Sequence, residues 1–250
     1  LNQRSIRKRT KINGENVIII VIYHTKKASN YDPLLAFFET KNSFMTKLSN
    51  RIEAIQESAT LAMAAKAREF KSRGINVIGL SLGEPDFKTP KHICEAAKKA
   101  IDEGKYFAYP PVAGYQDLRE ALAKKYATEN GVPYKAENIL VSNGAKQSIA
   151  NAMIALLNPG DEVVVFSPYW VSYDALVRLA EATPVIISGG IENDFKVTAA
   201  QLEQAITPKT RAIIFSSPCN PTGSVFSRAE LEAIAKVVLK HPDLLVIADE

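Results

Sequence analysis

Cysteine is nearly absent from this chain. Cys94 and Cys219 are the only two, far apart and without metal-ligand spacing. A disulfide framework and a thiolate–metal cluster are therefore excluded, and a reducing, cytoplasmic setting is expected. The apolar run Val17–Tyr23 is far too short to span a bilayer. Neither a G-x-G-x-x-G pattern nor a Walker lysine motif occurs, so nucleotide binding has no support. Internal repeats and low-complexity linkers are missing, and Trp170 is the single tryptophan. What remains is ordinary globular composition: 250 residues, 46% hydrophobic and 23% charged, enough for a substantial core.

The formal charge of +4 is unevenly placed. Residues 1–44 hold eight Lys/Arg against three Asp/Glu, leaving 23 against 24 for residues 45–250. The body is close to neutral, so neither a nucleic-acid nor a membrane partner is expected. The chain starts at Leu1, and its first methionine is Met45. The basic stretch Arg4–Lys11 and the following apolar run loosely resemble a signal peptide. His24, Lys26 and Lys27 follow where small cleavage-site residues would stand. Residues 1–44 read as a leader outside the fold, either targeting sequence or translated sequence upstream of Met45.

From Met45 the texture changes. Leu48, Ile52, Ile55, Leu61 and Met63 recur at helical spacing and predict a helix over 46–73, ending at Gly74. An apolar strand is predicted at Val77–Leu80, before the Gly83-Glu84-Pro85-Asp86 turn. Helices are predicted at 91–103 and 115–130. Strands at 138–141, 162–166, 184–187, 211–215 and 244–248 then alternate with helices at 145–157, 172–181, 198–206 and 227–239. The strands are short runs of Val, Ile and Leu, which suits burial on both faces. The expected fold is α/β: three layers with a mostly parallel sheet between helices. Glu250 directly follows an apolar strand, so the domain reads as truncated at its C-terminus.

In open α/β sheets, ligands bind beyond the carboxyl ends of the strands. The residues there are Ser142–Gln147, Ser167–Trp170, Ser216–Gly223 and Asp249-Glu250. Gly144 permits an unusual turn that would leave the N–H groups of Ala145 and Lys146 facing an anion, most naturally a phosphate. A plain helix cap by Ser142 or Asn143 is the simpler alternative. Trp170 suits either a core position or stacking on an aromatic ligand. Asn220, in Pro218-Cys219-Asn220-Pro221-Thr222-Gly223, suits a turn or donation to a ligand hydroxyl. Asp249 ends an apolar strand, where its carboxylate needs solvent or a partner; a pyridine nitrogen beside it would stay protonated.

In order, these segments resemble the class I/II aminotransferases of fold type I, and within them the bacterial aspartate aminotransferase branch. The anchors are Leu82–Phe87, Tyr109-Pro110-Pro111 with Gly114 and Leu118-Arg119, Asn143–Gln147, Pro159–Val163, Ser167–Trp170, Asn220–Gly223 and Asp249-Glu250. The resemblance implies pyridoxal 5′-phosphate as cofactor, an amino acid and a 2-oxo acid as substrates, and a homodimer. It also implies that residues 45–85 form an N-terminal arm and part of a small domain, and 86–250 part of the cofactor-binding large domain. By it, Ala145 and Lys146 bind the cofactor phosphate, Trp170 stacks on the ring, Asn220 bonds the ring hydroxyl and Asp249 pairs with the ring nitrogen. Tyr109 reaches the phosphate of the neighbouring subunit, and Gly83 offers its backbone to the substrate carboxylate. Thr60 and Lys146 match positions that contact the distal carboxylate of aspartate, glutamate or prephenate. Lys146 read alone is equally a solvated helix-start lysine. One departure is Cys219, where many relatives have a first asparagine.

The resemblance places the Schiff-base lysine and the carboxylate-gripping arginine beyond Glu250, so no catalytic residue is assigned within the chain, and the fragment is expected to be inactive. Lys236 and Lys240, on a predicted surface helix, cannot replace that lysine. The alternatives are a lyase or synthase of the same fold, or a non-catalytic relative. Deletion of residues 1–44 from the complete protein is expected to leave solubility and dimerisation unchanged by size-exclusion chromatography. Loss of folding would make the leader structural.

Overall fold

The computed structural model describes residues 6–12, 15–21, 48–56, 59–80, 83 and 86–250. The chain divides into two compact units, Leu1–Lys47 and Leu48–Glu250. In the first, β1 (Ile6–Ile12) and β2 (Glu15–Val21) pair antiparallel, with Ile6 opposite Val21 and Ile12 opposite Glu15. The sequence reading assigns no strand partners to the leader, yet here it pairs with itself. The Val and Ile residues of β2 are strong strand formers.

The second unit is built around a four-stranded parallel sheet. Its strands are β3 (Glu162–Ser167), β4 (Thr183–Ser188), β5 (Thr210–Ser216) and β6 (Leu245–Asp249), in the order β4-β3-β5-β6. Alternate side chains of a strand point to opposite faces. Val163 and Val165 of β3 and Ala212 and Ile214 of β5 therefore enter one core; Val164, Phe166, Ile213 and Phe215 enter the other. Helices α5 (Ala145–Leu156) and α6 (Ser172–Leu179) close the first core with Ile149, Met153, Tyr173, Leu176 and Val177. Helices α7 (Ala199–Ala205) and α8 (Arg228–Val238) close the second with Leu202, Ile234 and Val237. The three-layer arrangement expected from sequence is what forms. Burial on both faces holds for β3 and β5 but not for β4 and β6, which flank them and keep exposed residues in alternation.

Chain order reverses across this sheet. From β3 the chain passes through α6 to β4 on one side, then through α7 to β5 on the other. The helices that follow β3 and β5 lie on opposite faces, so the chain order switches between those two strands. Open α/β sheets bind ligands at the carboxyl ends of the strands at such a switch point.

Elsewhere the predicted elements are revised. The helix expected over 46–73 is two: α1 (Asn50–Glu53) and α2 (Ala59–Ser72). Ile52 of α1 stays exposed, so little apolar burial supports a longer helix than that single turn. Helix α3 (Lys91–Asp102) forms as predicted. Helix α4 (Gln116–Lys125) gives way to a π-helical turn, Tyr126–Asn130, which Gly131 ends at φ 70°. Val77–Leu80 and residues 138–141 are not strands. Ile78, Leu80 and Leu140 are exposed, and the N–H groups of Ile139 and Val141 bond Ala136 O at 3.1 Å and Ala113 O at 3.0 Å instead of a strand ladder. An apolar run without a pairing neighbour has no ladder to join.

A polar strap joins the segment before α7 to α8. Ser227 and Glu230 form a reciprocal capping box at the start of α8, Ser227 N–H donating to Glu230 Oε2 at 2.7 Å. Lys196, next to the core residue Val197, donates to Glu230 Oε2 at 3.1 Å and to Val225 O at 3.4 Å. The Lys196 bond, followed by those from Ser227, pulls Glu230 down from 4.5 to about 2. A lowered folded value makes this contribution fully present above the ordinary carboxylate range and lost as pH falls from 4.5 toward about 2. Lys196 is raised, by the Glu230 bond first, so its share is present below 10.5 and fades as pH rises through the folded value. Lys196→Met is expected to lower the urea midpoint at neutral pH modestly and to flatten its fall between pH 4.5 and 2. An unchanged acid limb in the variant would remove the strap from the acid response.

Candidate active site

Two loops at this switch point hold each other. After β3 come Ser167-Pro168-Tyr169-Trp170, and after β5 come Ser217–Gly223. Cys219 Sγ contacts Pro168 O at 3.2 Å across the gap. Within the second loop, Gly223 N–H donates to Cys219 O at 2.7 Å and Cys219 N–H to Ser224 O at 2.9 Å. These bonds close a tight turn with Asn220 exposed on it. Asn220 N–H donates to Ser216 Oγ at 3.4 Å, while its side-chain amide makes no hydrogen bond among the described residues. Cys219, the departure from the two-asparagine pattern, therefore serves the loop closure.

An aromatic group fills the side toward α6. Trp170 is partly buried against the first core, and its carbonyl accepts the N–H of Tyr173 at 2.9 Å. The two rings meet edge to face, centroids 5.7 Å apart at 89°, and Tyr169 stacks near Tyr173 at 6.4 Å and 16°. Lys146 Nζ lies 4.8 Å from the Trp170 ring centroid, a cation–π contact joining α5 to this group. Tyr173 is fully buried, and its hydroxyl donates to Asp249 Oδ2 at 2.6 Å. Burial first, then the Asp249 carboxylate, push the phenol above its ordinary value, so it remains a proton donor. Asp249 is fixed in turn by strand pairing: it lies opposite Ser216 on β5, and its carbonyl accepts the N–H of Ser217 at 3.3 Å.

The start of α5 settles one alternative. Gly144 at the N-cap adopts φ 86° and ψ 161°, a backbone that side chains disfavour. Neither Ser142 nor Asn143 caps the helix, contrary to the simpler sequence reading. Asn143 N–H instead bonds the Gln147 side chain, and Ser142 Oγ is buried with no hydrogen-bond partner among the described residues. The N–H groups of Ala145 and Lys146 have no acceptor among those residues either. Two free donors at the positive end of a three-turn helix suit an anion.

Lys146, Trp170 and Asp249 thus belong to one line of contacts, with Ala145 at its start and Asn220 joined through Ser216. Thr60, Tyr109 and Gly83 are not drawn in by any described contact. Thr60 is half-buried in the first turn of α2, while Tyr109 and Gly83 are exposed. Leu82, Glu84, Pro85 and Ser58, parts of the motifs around Gly83 and Thr60, lie outside the described residues. Sequence reasoning missed Tyr173; it placed Ser216 and Ser142 in the ligand-facing segments without giving Ser216 a role and with Ser142 only as a helix cap. A signal existed for Tyr173: it follows Trp170 by three residues at a helix start, where such pairs share a face.

Among the described residues, no group of three His, Cys, Asp or Glu side chains could hold a metal ion, and no helix is long and apolar enough to cross a membrane. The family profile for aminotransferase class I and II matches residues 75–250. An aspartate/prephenate aminotransferase of Nitrosomonas europaea is 48% identical over 204 residues, covering 82% of this chain and 51% of that protein. An aspartate aminotransferase of Geobacillus stearothermophilus is 46% identical over 204 residues, with the same coverage of each. The crystal structure of Thermus thermophilus aspartate aminotransferase with maleate superposes with a TM-score of 0.79 at 44% identity, covering 82% of this chain and 53% of that one. The chain spans about half the length of the curated relatives it matches. It belongs to the class I and II aminotransferase family.

Proposed function

We propose that the protein carrying this chain is an aminotransferase that moves an amino group between an amino acid and a 2-oxo acid, using pyridoxal 5′-phosphate. The observation that carries this reading is the line of contacts from Lys146 through Trp170 and Tyr173 to the carboxylate of Asp249. It runs from an anion-binding helix start to a negative charge, with aromatic faces between. A planar cofactor with a phosphate at one end and a basic ring nitrogen at the other fits that order. When bound, the cofactor supplies an aldehyde and an electron-withdrawing pyridine ring.

Each residue then has a defined task. The N–H groups of Ala145 and Lys146 hold the phosphate at the positive end of α5, and the buried, unpartnered Ser142 Oγ at the same turn supports a polar occupant. Trp170 stacks on the ring and excludes water from one face. The free side-chain amide of Asn220 donates to the ring hydroxyl. Asp249 keeps the ring nitrogen protonated through its negative charge. Gly83 offers its backbone to the substrate α-carboxylate. Tyr109 reaches the phosphate of a neighbouring subunit, making the active form a homodimer; its full exposure, with that of Phe107 and Val112, supports a surface awaiting a partner. The two free thiols support a cytoplasmic setting.

The substrates are dicarboxylic in this reading, aspartate or glutamate first, with Thr60 and Lys146 at the distal carboxylate. Lys146 has no carboxylate partner among the described residues, and its ammonium rests only on Trp170. In the complete enzyme, Lys146→Ala is expected to raise KM for aspartate by about tenfold, the worth of one charge-assisted contact, and far less for an aromatic amino acid. Equal changes for both substrates would assign Lys146 to general structure.

The covalent lysine is not assigned to this chain. Lys236 is exposed on α8, and Lys240 just after it is ion-paired with Glu203. Treating the 250-residue chain with pyridoxal phosphate and borohydride is expected to give only scattered, low-level lysine labelling by peptide mass mapping. A stoichiometric adduct on one lysine between Met45 and Glu250 would overturn the assignment of motifs.

A further inference from the structure

We propose that Gly114 and Arg119 form a bracket that sets the anion-binding loop at the start of α5. This rests on the cofactor reading above, but it concerns two residues to which that reading gives no task. Residues 139–141 lead into the loop without joining the sheet. Helix α5 enters its core only from Ile149 onward, and its first turn, Ala145–Ser148, is exposed. The helix therefore steadies the loop from one side alone. The other side is held by the segment around the start of α4. Val141 N–H donates to Ala113 O at 3.0 Å, and Arg119 Nε donates to Ile139 O at 2.9 Å. The other bonds described for this stretch, from Ile139 N–H to Ala136 O, Gly144 N–H to Ser142 O and Asn143 N–H to the Gln147 side chain, are local.

Packing closes the bracket. Gly114 takes φ 99°, and a Cβ built on it would lie 2.8 Å from both Cβ and Cγ2 of Val141. Glycine is required twice here, for its backbone and for the closeness of Val141. Arg119 suits its place by chemistry. Its guanidinium is permanently charged and carries its donors in a fixed plane. Nε serves Ile139 O, while Nη1 reaches Gln116 Oε1 at 3.4 Å within α4, which steadies the fork. The consequence is orientation of the peptide planes that present the N–H groups of Ala145 and Lys146. Backbone donors bind an anion well only when they are preset, because any reordering on binding is subtracted from affinity. Gly114 and Arg119 are positioning residues; neither is assigned a contact with cofactor or substrate.

Two ligands that differ only in the phosphate separate this role from general support. Pyridoxine 5′-phosphate and pyridoxine share the ring, and their affinities for the full-length protein can be titrated side by side. Arg119→Met keeps the side-chain stem and removes the donors. It is expected to weaken pyridoxine 5′-phosphate about tenfold, as loss of a charge-assisted bond does, and to change pyridoxine less than about twofold. Arg119→Lys retains one donor able to reach Ile139 O and should lose about threefold, again for the phosphorylated ligand alone. Gly114→Ala should act on the same ligand, at least as strongly as Arg119→Met. Equal losses for both ligands, or unchanged affinities in folded variants, would overturn the bracket. If Arg119→Met or Gly114→Ala fails to fold, as judged by near-ultraviolet circular dichroism, Arg119→Lys decides alone by the same comparison. Should the unmutated protein bind both ligands equally, or neither, the phosphate reading of the α5 start falls, and the bracket with it.

Discussion

The central strands β3 and β5 must be covered on both faces. Val163, Val164 and Val165, and Ala212, Ile213 and Ile214, are all fully buried, so neither face of the sheet can be left to water. Burying a Val or Ile side chain contributes roughly 1.5–3 kcal/mol, and leaving one face open would forfeit about half of that for each strand. Helices are therefore needed above and below. Parallel strands need crossovers, and α6, α7 and α8 meet both requirements at once. Because α6 lies on one face and α7 and α8 on the other, the chain reverses direction between β3 and β5. The switch point at the carboxyl ends of these strands is a by-product of that reversal.

The polar groups placed around this switch point are ones that packing alone would not select. A buried hydroxyl without a partner costs on the order of 1–3 kcal/mol, and Ser142 Oγ is such a group. A helix start that keeps its first donors free forgoes a cap worth about 1 kcal/mol. Asp249 brings a carboxylate to the end of an apolar strand, supported by the hydroxyl of a fully buried tyrosine. Positive helix end, aromatic faces and negative carboxylate thus follow one another along a single line of contacts. Local stability is surrendered at these positions, as it is at functional sites.

Much of this was readable from residue order. The runs Val163–Phe166 and Ala212–Phe215 are too uniformly apolar for a half-solvated strand, and they proved to be the doubly buried centre. The polar loops after them could be placed at carboxyl ends without coordinates. Where the reading failed, a partner was missing. Val77–Leu80 has the composition of a strand, but no neighbour among the described residues pairs with it. Ile52 recurs at helical spacing but stays exposed, and α1 stops after one turn. Ser142 and Asn143 have the chemistry of a helix cap and do not cap.

Periodicity, loop chemistry and motif order are local properties, decided by residues within a few positions of one another. The α/β class, the parallel sheet, the location of the polar loops and membership in the aminotransferase family are therefore legible in residue order. Which of those groups meet depends on how the chain packs. Tyr173 and Asp249 are 76 residues apart, and their bond exists because α6 packs on the face of a sheet whose edge strand ends beside it. Ser216 faces Asp249 through strand register, and Lys146 lies over Trp170 because two helices share one core. Such contacts depend on chain crossings and burial over long separations, which no local spacing encodes.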